Sequence, residues 1–231
     1  CEKLNKNNKA ENLLKIALQR KPTYLKAINN LVHILKKKGN LEEAKKIIKE
    51  KIAIIPNQSI LYANLCKINL QEKNFNQAEK LISKAIELKP KQINYYLILA
   101  DIYNKKKKHE KVEFILKKAI EIDPNNPTIF LKLANLYRYL NKDEIAELNY
   151  KKAIKIKPNF IDGQLILCNF YIEKNKSSEA RMILENINFS NKNSGKILFE
   201  IGNLYRNIQL PKISEKYFRK ALIMEPNNID I

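Results

Sequence analysis

The segment Ala119-Ile120-Glu121-Ile122-Asp123-Pro124 carries the beat that decides the fold. Its proline belongs to a series, Pro22, Pro56, Pro90, Pro124 and Pro158, with 34 residues from each to the next. The following step lands on Lys192 and the one after on Pro226, leaving Pro127 and Pro211 outside the series. Such spacing marks an internal repeat. Other columns keep the same step. Five residues before the proline stand Ala17, Ala85, Ala119, Ala153 and Ala221. Twelve before it stand Ala10, Ala44, Ala78, Ala146 and Ala180, with Val112 and Ser214 departing. Twenty-one before it stand Leu35, Asn69, Tyr103, Tyr137, Tyr171 and Tyr205, and twenty-five before it Leu31, Leu65, Leu99, Leu133, Leu167 and Ile201.

Within one repeat the columns read as two helices. Phe130, Leu133, Ala134 and Tyr137 recur at helical spacing on one face, and Ala146, Tyr150 and Ala153 do the same on a second helix. Gly39, Asn141 or Asn175 centres the turn between them, because Gly and Asn tolerate the left-handed conformation that ends a helix. The serial prolines stop the second helix by removing an N–H donor, and Pro211 suits a first helical turn. Small residues have a packing reason, since helix axes approach to roughly 8–10 Å only where side chains permit. One hairpin cannot bury its own apolar face, so stability is expected from contacts between neighbours.

A large residue opens most repeats (Ile28, Tyr62, Tyr96, Phe130, Leu198), followed by Leu with a small residue, Tyr, Ala, Ala and Pro. With stretches such as Gly39-Asn40-Leu41-Glu42-Glu43-Ala44, this pattern resembles the tetratricopeptide-repeat family. The resemblance implies an all-α fold, a right-handed superhelical α-solenoid of stacked antiparallel helix pairs. It implies a single array over 1–231: a half repeat at 1–24 whose second helix covers 10–24, six repeats at 25–58, 59–92, 93–126, 127–160, 161–194 and 195–228, and the start of another at 229–231. Cys1 falls inside a first helix and neither end has a polar cap, so a piece of a longer protein is expected, with a lipidated Cys1 the lesser alternative. The pentatricopeptide family, an RNA-reading rival, has a unit one residue longer with Met and Gly ahead of its proline; this chain has two Met and four Gly. Three departures stand out. Lys51 and Ile187 replace the second alanine, and Asn188-Phe189-Ser190-Asn191-Lys192-Asn193-Ser194-Gly195 replaces a proline-closed turn, which predicts a longer connector and altered stacking of the last two repeats.

Composition limits the function classes. The chain carries 44 Lys+Arg against 24 Asp+Glu, a net charge of +20 that favours acidic partners. Five of the cations are Arg, whereas nucleic-acid surfaces often use the planar Arg fork. Charge-driven nucleic-acid binding is therefore the lesser alternative, and a coding bias toward Lys, Asn and Ile accounts for the excess equally well. Apolar runs such as Leu97-Ile98-Leu99-Ala100 are too short for a membrane span. Cys66 and Cys168 occupy the small-residue slot of the first helix, where a buried thiol is a small hydrophobe; free thiols lean toward a reducing, cytoplasmic setting. His33 and His109 lack ligand partners at metal spacing, and no phosphate loop or nucleophile motif occurs. The reading is a non-enzyme with no cofactor, no metal and no small-molecule substrate. The basic pairs Lys117-Lys118, Lys151-Lys152 and Arg219-Lys220 read as solvated second-helix surface.

In the family, first helices line a concave groove that holds an extended peptide or partner helix. The resemblance places Lys26, Asn29, Asn30, His33, Lys37, Asn64 and Lys67 in the early part of such a groove. It places Leu97, Leu131, Leu165 and Phe199 later, flanked by Asn135, Asn169, Asn203, Arg138 and Arg206. Asn can pair with both N–H and C=O of a peptide backbone. The expected function is a scaffold binding proteins or peptides, acidic toward one end and apolar toward the other. The Lys–Asn–Arg clamp of chaperone-binding members is not reproduced, because Leu97, Leu131 and Leu165 occupy its Lys column. Asn30 and Asn64 resemble the start of the asparagine ladder in O-linked GlcNAc transferases. The alternative is thus a substrate-recruiting region of such an enzyme, although the ladder fails at Ile98, Lys132, Ile166 and Glu200.

Overall fold

Alternating helix-forming stretches and fixed breakers give thirteen α-helices and no strand among the described residues, 2–187 and 194–226, of the computed structural model. The chain forms two compact units, Cys1–Pro124 and Asn125–Ile231, divided at a serial proline. The first holds α1 (Glu2–Arg20), α2 (Leu25–Lys37), α3 (Leu41–Ile54), α4 (Ser59–Gln71), α5 (Phe75–Leu88), α6 (Ile93–Lys105) and α7 (His109–Ile122). The second holds α8 (Pro127–Tyr139), α9 (Asp143–Ile156), α10 (Ile161–Glu173), α11 (Ser177–Asn186), α12 (Gly195–Asn207) and α13 (Pro211–Met224). In the first unit each helix packs on the next, and α2 also meets α4. The fold is the all-α stacking of helix pairs that the repeat predicts.

Two kinds of stop define each pair. α3, α5, α7 and α9 end two residues before Pro56, Pro90, Pro124 and Pro158, and the intervening residue is extended, as at Asp123 (φ −142°, ψ 87°). Between the helices of a pair, the residue at one repeat position is left-handed in all six turns: Gly39, Lys73, Lys107, Asn141, Asn175 and Gln209. The next residue's N–H then reaches back to the carbonyl of the Leu, Asn or Tyr column. Examples are Asn40 N–H to Leu35 O (2.9 Å) and Lys142 N–H to Tyr137 O (2.8 Å), so an orphan carbonyl is satisfied at every turn.

The alanine columns form the seam. Ala44, Ala78, Ala85, Ala119, Ala146, Ala153, Ala180 and Ala221 have no exposed surface. Ser214, in the same column, is also buried and donates its hydroxyl to Gly202 O at 2.7 Å. Gly202 is needed for Phe218, whose ring edge would stand 2.5 Å from an added Cβ. Lys51 is half-buried where the column loses its alanine, and Ile187 is buried in its place.

Charged pairs join successive repeats of the first unit at one pair of positions. Glu11 meets Lys38 (2.6 Å), Lys45 meets Glu72 (2.5 Å) and Glu79 meets Lys106, so the sign alternates from one step to the next. In the second unit Glu147 gathers Lys151 (2.7 Å), Lys176 (2.9 Å) and the Tyr171 hydroxyl (3.0 Å). Lys151 contributes most to holding the Glu147 carboxyl down from the ordinary 4.5 to about 2.

α1 is helical over 10–20, within the stretch expected as the second half of a repeat, and it also runs through Asn5, at the position that is left-handed in every later repeat. His109 begins α7. Residues 188–193 of the atypical connector lie outside the described residues, while Ser194 caps α12 by accepting from Ile197 N–H. α11 spans 10 residues where α9 spans 14. α12 packs on α10 and α13, and among the described residues no comparable contact joins it to α11.

Two outcomes follow from this packing. Ala119→Leu or Ala153→Leu overpacks the seam and lowers stability by about 1–3 kcal/mol, seen as a lower thermal midpoint; an unchanged midpoint contradicts the register. Glu147 has a depressed folded pKa, so its contribution is present above pH 4.5 and is lost as the pH falls toward about 2. Glu147→Gln is accordingly less stable than the native chain at pH 7, and the difference shrinks in urea titrations run at successively lower pH across that window.

Candidate functional site

The groove positions sit on first helices, so each is placed by α2, α4, α6, α8, α10 or α12. In the first unit Lys26, Asn30, His33, Lys37 and Lys67 are exposed, and Asn29, Asn64 and Leu97 are half-buried. Asn64 Nδ2 donates to Asn29 Oδ1 at 2.8 Å, which links α4 to α2 and leaves Asn30 outside the pair. Lys36, absent from the sequence-based set, belongs with them. It is half-buried, and its ammonium is pushed below the ordinary 10.5, first by burial and then by the Lys67 charge. A signal for it existed, because Lys36 shares its repeat column with Arg138 and Arg206. Among the described residues Lys26, Lys36, Lys37 and Lys67 have no acidic partner, so this face of α2 and α4 holds uncompensated positive charge.

In the second unit the same columns behave differently. Leu131 and Leu165 are buried, at 6% and 2% exposure, and give the first-helix face an apolar floor with little surface for a ligand. Asn135 is exposed but its Oδ1 accepts from the Tyr150 hydroxyl at 2.6 Å, leaving its amide N–H groups to donate. Arg138 is engaged by Glu173. Asn169 and Asn203 are half-buried, Arg206 is exposed, and Phe199 is half-buried with its ring 5.3 Å from that of Phe218.

The remaining reactive side chains fall into packing roles. Cys66 and Cys168 are fully buried, and burial pushes both thiols up to about 12. No cluster of metal-ligating residues occurs among the described residues, and none of their helices is long and apolar enough to cross a membrane. The second-helix basic pairs are exposed and occupied locally. Lys117 pairs with Glu113, Arg219 pairs with Glu215, and Lys152 lies 4.3 Å over the Phe130 ring.

Comparison with known families and structures agrees with this geometry. Tetratricopeptide-repeat models match residues 3–67 and, repeat by repeat, 60–92, 93–126, 127–160 and 195–228. The structure is similar to a tetratricopeptide repeat protein from Parabacteroides merdae, with TM-score 0.71 and 16% identity over 98% of this chain and 90% of that one. It is similar to the APC/C hetero-tetramer Cut9-Hcn1, with TM-score 0.67 and 14% identity over 96% of this chain and 44% of that one. Pseudomonas aeruginosa pilF gives TM-score 0.64 and 15% identity over 97% and 96%. At these identities the likeness is one of fold. Comparison with curated proteins finds no match.

Lys36 yields a prediction. A lysine with a lowered folded pKa destabilises the fold at all pH below that value, and the penalty fades as the pH rises to 10.5. Lys36→Met therefore raises the thermal midpoint at pH 7, and the gap from the native chain closes in melts run at increasingly alkaline pH. A lower midpoint at pH 7 contradicts a net destabilising charge at Lys36.

Proposed function

Because the chain belongs to the tetratricopeptide-repeat family, we propose that its first helices hold peptide or helical segments of partner proteins, acidic ones on the α2–α4 face. The observation that carries this reading is the uncompensated group of exposed Lys26, Lys37 and Lys67 with half-buried Lys36, beside the linked amides of Asn29 and Asn64. Partial burial disfavours the Lys36 charge, and a ligand carboxylate would offset that while accepting charge-assisted hydrogen bonds. Asn30 and His33 add donors on the exposed side of α2.

The first helices of the second unit suit a ligand held by its backbone more than by its charges. Asn135, Asn169 and Asn203 recur in one column and can donate to peptide carbonyls, with Leu131 and Leu165 beneath and Arg206 open to a carboxylate. The Arg138–Glu173 pair would have to break before Arg138 could serve a ligand.

The test is titration of a fluorescent Glu-rich peptide into the native chain and into a Lys26→Glu, Lys37→Glu, Lys67→Glu variant, all three positions being exposed. The variant binds the peptide more weakly by about tenfold or more, since three favourable contacts become repulsive. Equal affinity for both proteins excludes the proposal.

A further inference from the structure

A second binding surface lies away from the first-helix groove, in the crevice between α9 and α11. Leu167 of α10 floors it, Ile154 lines one wall and Met182 and Ile183 the other, around a cavity of about 550 Å³. That volume falls in the range of ligand pockets, roughly 300–1,000 Å³. At 3.6 residues per turn, Gln164, Leu167 and Tyr171 lie roughly 130° around α10 from Leu165, Asn169 and Ile172. The crevice is therefore on another face from the groove.

The equivalent place in the first unit shows what is different here. Between α1 and α3, over Leu31, the Lys15–Glu43 ion pair at 2.9 Å bridges the two walls. Lys151 and Glu179 stand at the same repeat positions across the α9–α11 crevice. They do not meet: Lys151 pairs with Glu147 at 2.7 Å, and Glu179 accepts from the Ser178 hydroxyl at 2.7 Å. The crevice is left unbridged, with Ile154, Leu167, Met182 and Ile183 at its centre and Lys151, Lys155, Gln164, Glu179 and Asn186 around them. Apolar surface continues outside it. Leu148 on α9 and Met182 on α11, one repeat apart in the same column, are 67% and 63% exposed. Lys155 stands beside them with no acidic partner among the described residues.

We infer that this crevice docks an acidic amphipathic helix of a partner protein. Two aliphatic anchors one turn apart seat among Ile154, Met182 and Ile183, as in helix-in-groove recognition, and a carboxylate on the flank of the same helix meets Lys155. Charge complementarity selects the occupant: Lys155 has no acidic partner among the described residues, and with Lys151 and Lys152 on the same wall the cations outnumber the nearby Glu147 and Glu179. A recessed, apolar floor between two helices suits side-chain anchors; a bilayer surface could reach only the protruding Leu148 and Met182.

The probe is a synthetic 14-residue peptide with Leu at the anchor spacing and Glu on the flanks, titrated into the full chain by fluorescence anisotropy. A scrambled peptide of the same composition and phosphatidylserine-containing vesicles serve as the other arms. The patterned peptide binds, and Met182→Glu and Lys155→Glu each weaken it by about tenfold, as expected for an anchor and a facing charge. Both residues are exposed, so unchanged thermal midpoints are expected of both variants. In the groove variant Lys26→Glu, Lys37→Glu, Lys67→Glu, whose α2–α4 face no longer attracts carboxylates, the patterned peptide still binds and the scrambled peptide does not, which separates the two surfaces. Equal binding of the scrambled peptide to the groove variant, loss of the patterned peptide in that variant, native-like affinity of both crevice variants, or binding to vesicles alone overturns the inference.

Discussion

Close approach of helices through side chains no larger than a methyl group is the constraint on which everything else rests. An isolated pair of 13- and 14-residue helices is too short to be stable in water. Each pair acquires order only by nesting against the next, and nesting needs the fully enclosed alanines at both positions of the second helix. Once that distance is set, larger side chains such as Tyr150 and Phe170 can interlock beside the seam, with their rings 5.3 Å apart. The groove positions and the crevice are by-products of the same spacing, because they are whatever the two remaining faces of each helix present.

Much of this was legible in the residues, and the gaps have physical causes. Proline and alanine columns carry their meaning in the backbone and in volume, so they translate directly into helix ends and contacts. Left-handed residues were read from Gly39, Asn141 and Asn175, yet Lys73, Lys107 and Gln209 adopt the same conformation. No local propensity favours it there; the closing of the turn by two packed helices imposes it. At Asn5, a residue type that tolerates the left-handed region, α1 is nevertheless continuous, so the residue type alone does not decide the turn. At the groove, a column shared with Arg138 and Arg206 pointed to Lys36, but its depressed pKa depends on burial that only the fold reveals. Leu131 and Leu165 were placed correctly on the first helix, while their enclosure follows from neighbours that a single column does not describe.

The lysine excess divides into two populations once the helices are in place. One is spent locally, on i, i+4 carboxylates and aromatic faces of the second helices, as with Lys117, Lys151 and Lys152. The other, on α2 and α4 and at Lys155, faces outward without compensation. Net charge alone could not make that distinction, and the functional reading rests on the second population.

The alternating ion pairs of the first unit also bear on how such an array can change in evolution. Loss of the segment 25–58 would set Glu11 opposite Glu72, two carboxylates where a bridge had been, although every hairpin remained intact. Loss of 25–92 would instead bring Glu11 to Lys106 and restore an attractive contact. Across these three joints, removal of an even number of hairpins leaves the facing charges opposite in sign, whereas removal of an odd number sets like charges together.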